Sequence, residues 1–192
     1  FVIAQPVGAF LDALATVEAD SEESFLLQQT TALVVDPGFY SVDWVVFKSG
    51  DLHESSSDTH NDAMSIVFNN VCDELGRKYS RTPHINTVEA AVRNGSPIAV
   101  GSTVVKHNEL MEIVKSVGSG VTENPLTRLK AAMRKGDYEP NIIVFAGGGA
   151  SIYADVIKSD EAFKDITVFT PNETNLANAR GYMQFGLMQL GS

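Results

Sequence analysis

Residues 32–43 read ALVVDPGFYSVD, and residues 142–153 read IIVFAGGGASIY. Each opens with an aliphatic, β-branched run of strand length. Leu33 to Val35 predicts a buried strand, broken by Asp36-Pro37-Gly38. Asn141 to Phe145 predicts a second, followed by a Gly147–Gly149 turn and a helix from Ile152 to Ile157. Gly38 lets the backbone turn tightly with amide hydrogens facing outward, an arrangement that holds phosphate oxygens. A carboxylate at the strand end, Asp36, suits a magnesium ion held through water. Three small residues before a helix let a flat ligand approach the backbone, and the helix amino end favours anions. Taken singly, the first turn is equally a hairpin corner capped by Asp36, and the second a plain strand-to-helix turn. Together, two strand-end glycine turns, one carrying an aspartate, flank a long helical stretch, and that pairing points to a site. Neither turn has the GxxxxGK[ST] or GxGxxG form.

The rest of the chain fits around these two strands. Phe1 to Ala4 predicts a short strand, Val7 to Leu14 a short helix after Pro6, and ADSEES (19–24) an acidic loop. Val42 to Phe47 resumes as a strand, Lys48 to Asp51 is a hairpin turn, and Leu52 to Ser56 returns. A long helix follows over His60 to Tyr79, with Met64, Val67, Phe68, Val71 and Leu75 on one face and Asp58 or Thr59 as its cap. Residues 82–105 predict a small inserted subdomain, with a helix at Thr87–Arg93, a turn at Asn94–Pro97 and a strand at Ile98–Val100. Asn108 to Val117 is helical, Gly118 to Asn124 a loop or kink, and Pro125 opens a further helix to about Arg134. Ile166 to Phe169 is a third strand. Thr170-Pro171-Asn172-Glu173 has the form of a capping box opening the last helix, which runs to Leu190. The class is α/β, with one mixed sheet flanked by helices.

Composition sets broad limits. The chain has 192 residues, 44% apolar and 20% charged, with a formal net charge of −10. That balance argues against nucleic-acid binding through phosphates, which needs a basic face. The single cysteine excludes an internal disulfide and fits a reducing compartment. No apolar run approaches the ~18 residues needed to span a bilayer.

With these blocks in place, the sequence resembles the second half of the actin-type ATPases, within them the plasmid-segregation proteins of the ParM/StbA kind. ALVVDPGFYSVD resembles the family's second phosphate motif, and IIVFAGGGASIY its adenosine motif. IAQPVGAFLDAL (3–14) resembles the segment entering the second large domain, and NLANARGYMQFG (175–186) the last helix. The resemblance implies an actin-like, ribonuclease H-like domain with its core at 1–81 and 106–192 and an insertion at 82–105. It implies a parent whose N-terminal domain, with its own phosphate motif, is absent here. By resemblance, Asp36 holds Mg²⁺ through water and Gln5 orients the hydrolytic water. The backbone of Gly38, Phe39 and Tyr40, with Ser41, contacts the phosphates of ATP. Gly147, Gly148 and Gly149 lie against the adenosine with Ile152 or Tyr153 near the base, and Glu112 and Lys115 face ribose and base. The implied activity is ATP hydrolysis coupled to filament formation for plasmid segregation, in the cytoplasm, through a DNA-binding adaptor. One departure stands out: the long helix starts Thr59-His60-Asn61, where the family often has glycines.

Other functions compete. A small-molecule kinase of the same superfamily needs a carboxylate base in the cleft, where this chain offers Gln5. A non-catalytic interaction module would keep the fold without the chemistry. For single residues the plain readings are Gln5 as a cap before Pro6, Tyr153 as helix packing, and Glu112 with Lys115 as a surface ion pair. Cys72 and Trp44 read as core, Ser41 lacks a His-Asp pair, and the four histidines are too scattered for a zinc site.

Overall fold

The computed structural model describes residues 4–190. The strand expected at 1–4 lies outside them apart from Ala4, which is in neither helix nor strand. Strands β1 (Thr31–Pro37), β2 (Val42–Lys48), β3 (Asp51–Leu52), β4 (Asp58–His60), β7 (Ile142–Phe145) and β8 (Thr167–Phe169) form the main sheet, with β5 (Ile98–Val100) and β6 (Thr103–Val105) as a separate hairpin. The helices are α1 (Gln5–Thr16), α2 (Glu22–Gln29), α3 (Met64–Tyr79), α4 (Ile85–Asn94), α5 (His107–Gly136), α6 (Ala150–Ser159) and α7 (Ala177–Leu190).

The sheet order is β3-β2-β1-β7-β8, with β4 also pairing β2. β1 runs antiparallel to β2 and parallel to β7, and β7 runs parallel to β8. The two aliphatic runs therefore lie side by side in the middle, with Val35 opposite Phe145. Period-two alternation divides their side chains between two cores. Leu33, Val35, Ile143 and Phe145 pack with α5 and α6. Ala32, Val34, Ile142 and Val144 pack with α1, α2 and Ala177 of α7, where the Phe10 ring stacks on Phe47 at 3.6 Å. A third cluster joins α3, α4, the β5–β6 hairpin and the first half of α5.

Four local expectations are corrected. The acidic loop at 19–24 gives way to α2, because Ser21 caps it: its Oγ accepts the Ser24 N–H at 3.1 Å, and Glu22 and Glu23 sit in the favourable first turn. The loop or kink at 118–124 is absent, and α5 is continuous through Pro125. Proline removes one helix hydrogen bond. Here burial holds the helix on both sides of it, Leu110 and Val114 in the third cluster and Leu126, Leu129 and Met133 against the sheet. The return strand after Leu52 is cut short by a single 3₁₀ turn, and β4 takes over the pairing with β2. The capping box at 170–173 does not form: Glu173 is left-handed (φ +48°), a 3₁₀ turn follows, and α7 starts at Ala177.

Candidate functional site

Parallel pairing of β1 with β7 brings both glycine turns to the same sheet end, at the carboxyl ends of adjacent strands, where open α/β sheets bind ligands. The turns are bonded to each other. The Ala146 N–H donates to the Val35 carbonyl at 3.0 Å and the Gly149 N–H to the Pro37 carbonyl at 2.9 Å. Two of the three glycines are required by this contact. Gly147 has φ +75°, and a Cβ there would overlap the Asp36 carboxylate; one on Gly149 would lie 2.8 Å from the Met64 thioether. Gly148 is different: it is exposed, and a Cβ there would meet open space. Packing explains Gly147 and Gly149 and leaves Gly148 as a bare stretch of backbone facing outward.

The first turn is braced from the other side. Gly38 donates its N–H to the Ser41 carbonyl at 2.8 Å, so that amide closes the turn. The carbonyls of Gly38 and Phe39 accept the N–H groups of Met64 and Ser65, at 3.2 and 2.8 Å. They satisfy the unpaired donors at the start of α3, a job expected of Asp58 or Thr59. The Phe39 ring anchors the turn to the third cluster, while Tyr40 is 77% exposed. Among the described residues no protein acceptor takes the amides of Phe39 and Tyr40. The Ser41 hydroxyl donates to Asp43 Oδ2 at 2.6 Å.

Asp36 lies beneath both turns, 2% exposed, and accepts a hydrogen bond from Asn178 Nδ2 at 2.7 Å. Burial pushes its pKa above the ordinary carboxylate value; the Asn178 bond pulls the other way and the charge of Asp43 adds to the rise. Asn178 was not singled out from the sequence. Its signal was a poor helix former set between alanines. Its Oδ1 accepts the Ala9 N–H at 3.1 Å, tying Asp36 to α1. Nearby, Thr174 Oγ1 donates to the Gly147 carbonyl at 2.9 Å. Arg180 holds buried Asp12 with two hydrogen bonds, one of them at 2.8 Å, and also donates to the Asn172 carbonyl. Gln5 is exposed at the first turn of α1, one turn before Ala9.

The remaining residues lie on α5 and α6. Lys115 pairs with Asp155 at 3.1 Å rather than with Glu112, which is exposed. With Ser119, Ile152, Val156 and Ser159 these two line a groove of about 200 Å³ that starts in the first turn of α6. Ile152 fits where Gly118 leaves no side chain. The Tyr153 ring is core, and its hydroxyl donates to the Asp62 carbonyl at 2.9 Å; burial raises its pKa. The structure thus gathers Asp36, Gly38–Ser41 and Gly147–Gly149 on one end and sets the α5–α6 groove beside them. A larger cavity, about 1040 Å³, lies at the opposite sheet end around Lys130, Arg134, Tyr138 and Asn141, away from both turns.

No protein-family model matches the sequence, and no curated protein does. Solved structures do. An archaeal actin homolog superposes with a TM-score of 0.76 at 14% identity, over 97% of this chain and 55% of that one. The chain has the actin fold. A non-polymerisable pCBH ParM mutant matches at 0.69 and 18% identity, over 98% of this chain and 54% of its own. Bacillus thuringiensis ParM with ATP matches at 0.65 and 13%, over 98% and 55%. The chain therefore spans about half the length of the actin-fold structures it matches. The mixed sheet flanked by helices agrees with the class expected from the sequence.

Proposed function

We propose that this chain is the nucleotide-binding half of an actin-like ATPase that assembles into filaments for plasmid segregation. The observation that carries the reading is the Gly149 N–H bond to the Pro37 carbonyl, which joins two glycine turns over one buried aspartate. The exposed Gly148 backbone and the amides of Phe39 and Tyr40 suit phosphate oxygens. The α5–α6 groove, with Lys115 at its edge, suits the nucleoside.

A magnesium ion fits the donor set. Among the described residues no three His, Cys, Asp or Glu side chains gather as a metal cluster. Magnesium bound to a nucleotide needs only one or two carboxylates beside phosphate and water, and Asp36 with Asp43 on the neighbouring strand provides them. When bound, the ion neutralises phosphate charge. The chain's own part is positioning: Asp36 is fixed by Asn178, the turns are fixed to each other, and Gln5 orients the water that attacks. Gln5 is neutral and a weak base, so hydrolysis would be slow.

The matched ParM structures include a 15-stranded filament from Clostridium botulinum, which supports self-association as the assembly mode. Head-to-tail contacts would give open filaments. The net charge of −10 fits a cytoplasmic protein that reaches DNA through an adaptor rather than directly. Among the described residues no helix is long and apolar enough to cross a membrane. The missing half of the cleft would come from an N-terminal domain of the parent, and residues 82–105 would be an insertion into this one. The test is calorimetric titration with Mg²⁺–ATP of the chain and of Asp36→Ala. A weak affinity that falls at least ~10-fold in the variant supports the reading; equal affinities reject it. Sedimentation of the full-length parent with and without ATP tests the filament.

A further inference from the structure

We propose that Asn178 is a positioning residue that transmits the state of Asp36 to helix α1, and through it to Gln5. The inference rests on the nucleotide reading above and assigns the connection inside that site. Asn178 is buried, and both ends of its side-chain amide are engaged. Nδ2 donates to Asp36 Oδ2 at 2.7 Å, and Oδ1 accepts the Ala9 N–H at 3.1 Å. A planar amide bonded at both ends cannot follow one partner without pulling on the other.

The surroundings make that link stiff. α1 and α7 cross with their backbones in contact: a Cβ on Gly8 would stand 2.5 Å from the Asn178 carbonyl oxygen, and one on Gly181 would overlap the Gly8 carbonyl. Two residues beyond Asn178, Arg180 clamps Asp12 of the same helix α1. Two charged or polar anchors and a backbone crossing therefore fix α7 to α1, and Asn178 supplies the hydrogen bond from this pair to Asp36. Gln5 is four residues before Ala9 and lies on the same face of α1. A change at Asp36, such as a rotation of its carboxylate toward a cation, shifts the Asn178 amide, the Ala9 N–H and the first turn of α1.

Amide NMR of the chain without ligand tests the link. Asp36→Asn should move the Ala9 and Gln5 amide resonances, although neither residue bonds Asp36. In an Asn178→Ala background the same substitution should leave them in place. Ala9 amide exchange should quicken on the order of 10-fold in Asn178→Ala, as expected for loss of one hydrogen bond. The proposal is overturned if Asp36→Asn moves the Ala9 amide equally with and without Asn178, or leaves it unmoved in the otherwise unaltered chain. Adding Mg²⁺–ATP gives an independent arm: no change anywhere in the spectrum rejects the nucleotide reading and leaves the ligand-free result standing on its own.

Discussion

Replacing Gly147 by alanine should damage the fold far more than replacing its neighbour Gly148. Two effects add at Gly147. Its φ of +75° costs a residue with a Cβ ~1 kcal/mol or more. The new methyl would also overlap the Asp36 carboxylate and stand 2.9 Å from the Pro37 carbonyl oxygen, which backbone bonding holds in place. Asp36 must then move and lose its bond from Asn178, which leaves buried polar groups unpaired at ~1–3 kcal/mol. The sum is about 3 kcal/mol. For a chain of this length that lowers Tm by roughly 6–12 °C. Gly148→Ala meets open space and should stay within about 0.5 kcal/mol of the unaltered chain. Trp44 is the single tryptophan and is buried, so its fluorescence reports unfolding. A Gly147→Ala melt within 2 °C of the unaltered chain, or equal losses for the two variants, would refute the packing argument.

Three further outcomes follow from the same contacts. Gly181→Ala should lower Tm by at least as much as Gly147→Ala, because its methyl would overlap the Gly8 carbonyl and helices α1 and α7 would have to separate; a thermal melt checks it. Arg180→Ala should cost about 2–3 kcal/mol in urea unfolding, since it strands Asp12, which is 1% exposed, and the double variant with Asp12→Leu should recover part of the loss. Asp36 has a folded pKa raised above its unfolded value, so its contribution to stability is fully present below the ordinary carboxylate value and is lost as pH rises through the raised one. Asp36→Asn should therefore be more stable than the unaltered chain at pH 7, and the difference should shrink toward pH 3 in paired urea titrations.

The two central strands were legible because their aliphatic alternation has one physical meaning when both faces are buried: Leu33 and Val35 face one core, and Ala32 and Val34 the other. The glycine turns were legible for the same local reason, though sequence alone could not divide their roles. Only the packed structure shows that Gly147 and Gly149 are needed for contact with Asp36, Pro37 and Met64, while Gly148 is not. Tertiary packing also overrode the local signal at Pro125, where buried residues on both sides keep α5 whole. Glu173 fails as a cap partner because the chain must turn left-handed there for Thr174 to reach Gly147. Asn178 stands out locally as a poor helix former between alanines, but its partners are 142 and 169 residues away, so the sequence could not say what it holds.

The most direct measurement is amide NMR mapping of Mg²⁺–ATP on this chain at millimolar nucleotide. Shifts at Phe39, Tyr40, Gly148 and the α5–α6 groove at Lys115 and Ile152, with transmitted shifts at Ala9 and Gln5 of α1, are the predicted result. Absence of shifts there, or shifts gathered instead around Lys130, Arg134 and Tyr138 at the other sheet end, would contradict the assignment of the paired glycine turns as the nucleotide site.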